Sequence, residues 1–167
     1  MQRIDHRAAG FAAALAAALA LAVAEGSEHW LGLVPCALCL LERWPWRMAV
    51  VLGLLAGFAR PRQAGRGLLI VLALSLVASA GLGVIHVGVE QGFWPSPLPE
   101  CAAPEIHGTN LAQLLASMPA RPSKPCDAPS FLVPGLPLSM AAMNLLYSLV
   151  VLGALVTYLV QSREGRR

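Results

Sequence analysis

The chain contains Cys36-Ala37-Leu38-Cys39, two thiols separated by two residues, and a second pair of cysteines much further along, Cys101 and Cys126. Two intervening residues at a helix start bring both sulfurs onto the first turn, the spacing of a redox-active dithiol. Pro35 suits a helix start, and the free N–H groups there favour a thiolate. Arg43 follows Cys39 by four residues and Cys36 by seven, which places it on the same helix face, one to two turns deeper. A guanidinium there can hold the Cys39 thiolate and donate hydrogen bonds to a carbonyl of a lipid-soluble acceptor. Its other uses are snorkelling or an ion pair, with Glu42 as one partner. Arg47, a turn further on, serves either to help or to anchor the helix.

Four cysteines allow three pairings. If the two close thiols join, Cys101 and Cys126 remain to close a loop. Two structural disulfides would suit that loop, because a cross-link removes entropy from a segment with little core. They suit the short ring less well, since so small a closure adds little stability. Zinc held by four thiolates is disfavoured because Cys101 and Cys126 lack the close spacing of a second knuckle, so no metal is expected. Haem attachment is excluded, because Leu40 and not histidine follows Cys39.

These residues must be positioned by a membrane-embedded scaffold. Of the 167 residues 57 % are hydrophobic and 13 % charged, against about 25 % charged in ordinary soluble domains. The mean hydropathy is +0.64. That composition excludes a disordered chain and argues against a cytosolic enzyme. A net charge of +3 without a basic, aromatic-rich cluster gives no support to nucleic-acid binding. A crossing needs roughly 20 apolar residues, and four helices are predicted at about 8–24, 36–59, 67–89 and 139–160. The second carries Glu42, Arg43 and Arg47 near one end, while the third holds only His86 as an ionisable group.

Arginine placement sets the orientation. Arg3 and Arg7, then Arg60, Arg62 and Arg66, then Arg163, Arg166 and Arg167 lie at alternate helix ends and account for 8 of the 12 basic residues. The positive-inside rule puts both termini and the 60–66 loop in the cytoplasm. The loops at 25–35 and 90–137 are then outside, together with all four cysteines, where an oxidising compartment permits disulfides. A rival reading makes Arg3 and Arg7, the apolar run 11–23 and Ala22-Val23-Ala24 the parts of a cleavable signal peptide, leaving three spans.

The 90–137 loop holds 10 of the 13 prolines and is predicted to be mostly irregular. Within it Leu111, Leu114, Leu115 and Met118 recur at helical spacing behind Thr109 or Asn110, predicting a short helix on the membrane surface. His86 lies near the outer end of its span, as an interfacial hydrogen-bonding residue or a proton donor. Trp30, Trp44, Trp46 and Trp94 fit an aromatic interfacial belt.

The run from Pro35-Cys36 through Cys39-Leu40-Leu41-Glu42-Arg43-Trp44-Pro45 resembles the signature of the DsbB family of bacterial disulfide bond formation proteins. Gly88-Val89-Glu90, Trp94-Pro95-Ser96-Pro97 ahead of Cys101, and Pro125-Cys126-Asp127 ahead of the last helix extend the likeness over most of the chain, and favour the four-span reading over a cleaved signal peptide. Vitamin K epoxide reductase-like proteins share the chemistry but carry their CxxC late in the helical core. The resemblance implies a four-helix inner-membrane bundle that reoxidises a periplasmic DsbA-like dithiol oxidase and passes electrons to ubiquinone or menaquinone, the established system that keeps the bacterial periplasm oxidising. It further implies that the partner attacks Cys101, that released Cys126 attacks Cys36, and that Cys39 becomes a thiolate facing quinone with Arg43 beside it. His86 is a quinone-side candidate, while His107 and the 121–125 stretch match nothing clearly. The alternatives are a paralogue serving a dedicated thiol partner and a non-enzymatic membrane scaffold with two structural disulfides.

Overall fold

The computed structural model describes residues 5–101, 110–113, 124–133 and 135–164. Four long helices dominate: α1 (His6–Leu31), α2 (Ala37–Phe58), α3 (Arg62–Glu90) and α4 (Met140–Glu164), with a 3-10 turn at Pro99–Cys101. Among the described residues there is no strand, only two isolated bridges, Cys36 with Lys124 and Phe131 with Ser139.

Three helices are long and apolar enough to cross a membrane: His6–Leu31, Arg62–Glu90 and Met140–Ser162. α2 does not reach that mark, because Glu42, Arg43 and Arg47 interrupt its apolar run. α1 continues past the expected end at 24 to Leu31, where Gly32 adopts a left-handed φ of 66° and returns its N–H to the Ser27 carbonyl. That extension puts Glu25 and Glu28, expected in a loop, on a single helical face. α3 starts at Arg62, directly after Pro61, earlier than the expected 67. Only 111–113 of the expected loop helix are described, and they are helical, with Asn110 Oδ1 accepting from the Gln113 N–H at 2.9 Å. Leu114, Leu115, Met118, Thr109 and His107 lie outside the described residues.

Each helix packs chiefly on its neighbour in sequence, while α1 and α4 touch little. Small residues bring α1 and α2 together: a Cβ on Gly53 would lie 2.8 Å from Ala14 N and from Gly10 O, so only hydrogen fits. At the far end of the pair, His6 Nε2 and Arg7 Nε donate to the carbonyls of Ala59 and Gly57, each at 3.1 Å, covering α2's terminal acceptors. Leu69, Leu72 and Leu76 of α3 and Ala49 and Ala56 of α2 form the fully buried centre.

One of the four expected belt tryptophans belongs to this interior. Trp46 is 3 % exposed, against 87 % for Trp30 and 59 % for Trp44. It lies two residues from Trp44, hence on roughly the opposite helix face, where its Nε1 donates to Asn144 Oδ1 at 2.7 Å and its ring packs on Tyr147.

Replacing Gly53 with valine forces α1 and α2 apart. The expected result is a loss of about 1–3 kcal/mol, read as a lower midpoint of thermal unfolding by circular dichroism in detergent; an unchanged midpoint would mean the close crossing carries no stability.

Candidate functional site

Cys36 precedes α2 as its N-cap, and its Sγ accepts from the Cys39 N–H at 3.1 Å. This cap turns the Cys39 side chain back over the same turn, and the two sulfurs stand 2.6 Å apart as free thiols. They are a small rotation from a disulfide of about 2.05 Å.

Cys101 and Cys126 are joined by a disulfide that bridges a separation of 25 residues. The bridge sits on the first pair: Cys36, Cys101 and Cys126 are buried in one cluster with Leu38 and Val89, and Cys39 packs against it. Backbone pairing of Cys36 with Lys124 holds the returning loop there, and the Cys126 N–H donates to Cys101 O at 3.4 Å. Lys124 Nζ in turn donates to Pro129 O and Ser130 Oγ, each at 2.8 Å, folding 124–130 into a compact turn.

Arg43 is 7 % exposed. Its guanidinium meets Glu28 Oε2 at 2.7 Å and Glu25 Oε1 at 3.1 Å, both from the last turns of α1. Glu42, the partner suggested by adjacency, points elsewhere, because consecutive helical residues diverge by about 100°. It accepts from His86 Nδ1 at 3.0 Å, and His86 Nε2 lies 3.5 Å from Cys36 Sγ. Glu42 and His86 are 6 % and 2 % exposed. One turn beyond His86, Glu90 accepts from Ser139 Oγ at 2.5 Å, and Ser139 also caps α4 through the Ala142 N–H.

Where α1 and α4 diverge, a cavity of about 700 Å³ opens between α1, α2 and α4. Leu19, Val23, Leu146 and Val150 line its apolar wall, and Cys39, Glu42, Arg43 and Asn144 supply polar groups. Asn144 accepts from Trp46 Nε1 through Oδ1, and its buried Nδ2 lies on the Glu42 side of the wall without a close hydrogen-bond partner. A flat ring bearing carbonyl acceptors and an apolar tail fits that donor set. His86 is not part of the wall; it reaches the sulfurs from the α3 side. The Cys36, Cys39 and His86 donor atoms all lie within 4.8 Å of one another.

All four cysteines, Arg43 and His86 are thus brought to one end of the bundle. Glu25, Glu28 and Asn144 were not singled out from the sequence, and Glu42 was considered only beside Arg43. Asn144 carries a signal in hindsight, as the single amide in the uncharged 139–160 run. The two glutamates at the end of α1 carry one only if that helix is known to continue past 24.

A helical membrane protein organised around two neighbouring cysteine pairs is the class that this fold and site define. The chain belongs to the DsbB family, described as disulfide bond formation protein DsbB, whose profile matches residues 6–158. It is 31 % identical over 102 residues to Disulfide bond formation protein B of Azoarcus sp. (strain BH72), and 35 % over 99 residues to that of Marinobacter nauticus; each match covers 59 % of this chain and 55 % of the relative. The chain thus aligns with about half the length of these two relatives. Uncharacterized protein RP370 of Rickettsia prowazekii is 28 % identical over 142 residues, 83 % of this chain and 80 % of that protein. No solved structure matches.

Arg43→Met leaves Glu28 without its partner and Glu25 with only the 3.6 Å contact to Arg47. The expected cost is about 1–3 kcal/mol, below that of a fully buried pair because Glu25 and Glu28 remain 42 % and 33 % exposed. Chemical unfolding of the variant beside wild type measures it, and equal stability would show that the ion pair contributes nothing net.

Proposed function

We propose that this protein reoxidises a DsbA-like periplasmic dithiol oxidase and passes the electrons to a membrane quinone. The observation that carries the reading is the gathering of both cysteine pairs into one buried cluster, with Cys39 facing a cavity that also presents Arg43 and Asn144. The quinone, ubiquinone or menaquinone, supplies a sink for two electrons and two protons.

The chain's own residues do the rest. A partner thiolate attacks Cys101 Sγ, forming a mixed disulfide and breaking the Cys101–Cys126 bond. Cys126 leaves as a thiolate and attacks Cys36 Sγ of the oxidised first pair, so the Cys36–Cys39 bond breaks and its electron pair stays on Cys39. Cys39 then stands as a thiolate at the cavity wall, where the Arg43 guanidinium offsets its charge. The partner's second thiol resolves the mixed disulfide, and Cys101 reclaims Cys126 and releases Cys36. Each exchange is a thiolate displacement at sulfur, governed by thiol acidity and access. In this reading the second pair exchanges in turn with the partner and with the first pair. Arg43 and the Asn144 amide are the donors for the ring carbonyls, and the apolar wall takes the tail.

In this reading α2 completes a four-helix bundle in the bacterial inner membrane, with both termini and the 60–66 loop cytoplasmic and the 90–137 loop periplasmic. The pairing of Arg43 with Glu25 and Glu28, and of Glu42 with His86, supports a crossing by α2, because two of its three charges turn toward protein and not toward lipid. A reporter active only outside the cytoplasm is expected to be silent when fused in the 60–66 loop or at the C-terminus and active at 110–113; the reverse pattern would overturn the orientation.

Anaerobic quinone reduction by the purified protein, driven by a reduced DsbA-like partner, tests the reaction. Turnover is expected in wild type and is expected to fall to background in Cys39→Ala and Cys101→Ala. Wild-type turnover in Cys39→Ala would sink the electron path.

A further inference from the structure

The exchange steps above leave one buried pair unused. Glu42 and His86 meet at 3.0 Å in the interior, from two different helices, and the free edge of the imidazole lies 3.5 Å from Cys36 Sγ. A carboxylate that accepts from Nδ1–H fixes the tautomer, so a neutral His86 presents a bare Nε2 to the thiol. A nucleophile beside a base that a third group orients is the recurring arrangement of an activated side chain. The charges around it are accounted for. Arg43 is turned to Glu25 and Glu28 on α1, Glu90 on α3 is tied to Ser139, and Cys39 is the other thiol within reach.

We propose that His86 is a catalytic acid–base residue dedicated to Cys36, with Glu42 as its positioning residue. The assignment rests on the function proposed above, in which Cys36 changes state twice per cycle. When Cys101 reclaims Cys126, the Cys126–Cys36 bond breaks, the electron pair stays on Cys36 Sγ, and His86 Nε2–H gives that sulfur its proton. When the Cys36–Cys39 bond forms again, two electrons leave the sulfurs for the quinone, and the Cys36 proton passes back to His86 Nε2. Glu42 neutralises the resulting imidazolium through Nδ1–H. The proton lent in the first step is recovered in the second, and the two protons taken up by the quinone match the two given up by the partner's dithiol. His86 therefore works on the sulfur from the α3 side, while Arg43 and Asn144 face the cavity from α2 and α4.

Two measurements on the full-length protein in detergent test this without quinone or partner. Failure here leaves the quinone reaction standing, and failure of quinone reduction leaves these results readable. The first is the pH profile of Cys36 alkylation by iodoacetamide in the fully reduced protein, resolved by mass spectrometry of the peptide carrying Cys36. His86→Gln keeps a polar side chain but holds no proton in this range, so the midpoint is expected to rise by about one pH unit or more. A superimposable profile overturns the proposal, and Glu42→Gln with His86 kept separates the loss of the base from the charge of an uncovered Glu42, which acts on Cys36. The second is the imidazole nitrogen spectrum of histidine-labelled protein. A bare Nε2 and a protonated Nδ1 are expected for neutral His86 in wild type, and a mixture of tautomers in Glu42→Gln. A protonated Nε2 in neutral wild-type His86 overturns the base whether or not any variant folds, and an unchanged tautomer in Glu42→Gln overturns the role given to Glu42.

Discussion

Charge buried away from water must find a partner, and the first two turns of α2 are arranged around that requirement. Glu42 and Arg43 are neighbours in sequence and both are nearly inaccessible. Their side chains leave the helix in different directions, one toward α3 and the other toward α1. Arg43 closes on Glu25 and Glu28, Glu42 closes on His86, and α2 is thereby gripped from both sides just inside Cys36 and Cys39. Neither grip tolerates sliding, because a shift of one residue would leave ions unpaired. The cysteine pair thus sits on a stretch held from two sides, although it lies at a helix end, where fraying would otherwise be expected.

The rest of the bundle serves that stretch. Glycine and alanine at the α1–α2 crossing let the backbones approach closely, which keeps Glu25 and Glu28 within reach of Arg43. α4 meets α1 at few points, one of them the Tyr147 hydroxyl donating to Ala16 O, and the space left between them becomes the cavity into which Cys39 faces. Over the sulfurs, the loop bearing Cys126 is pinned by backbone pairing at Lys124 and by the disulfide to Cys101. The pins differ in kind from the ion pairs below: thiol exchange breaks one, and the other is an isolated bridge. A firm floor beneath a releasable cover suits the exchange between two cysteine pairs proposed above.

Much of the architecture was legible before the structure. Runs of apolar residues placed the four long helices to within a few residues at most ends, and the CxxC spacing together with Arg43 singled out the start of α2. The misses share a cause. α1 runs seven residues beyond its uncharged stretch, because the glutamates that ended the apolar run are partnered by Arg43 and cost the helix little. Trp46 was grouped with the interfacial tryptophans, yet its indole N–H finds Asn144 inside the bundle. Residue type alone could not separate it from Trp44, since both choices satisfy an amphipathic ring. Of the expected loop helix, only 111–113 fall within the described residues.

The sequence by itself determined a helical membrane protein, the approximate position of its helices and the close spacing of Cys36 and Cys39, because hydropathy, turn residues and i, i+3 or i+4 spacing are local properties written along the chain. Only the tertiary structure decided which charge meets which. Arg43 turned to α1 and not to its neighbour, Glu42 found His86 44 residues away, and Asn144 entered a site assembled from three helices. Those choices depend on helix rotation and crossing, which close packing of small residues and the pairing of buried ions settle together, and no single segment contains that information.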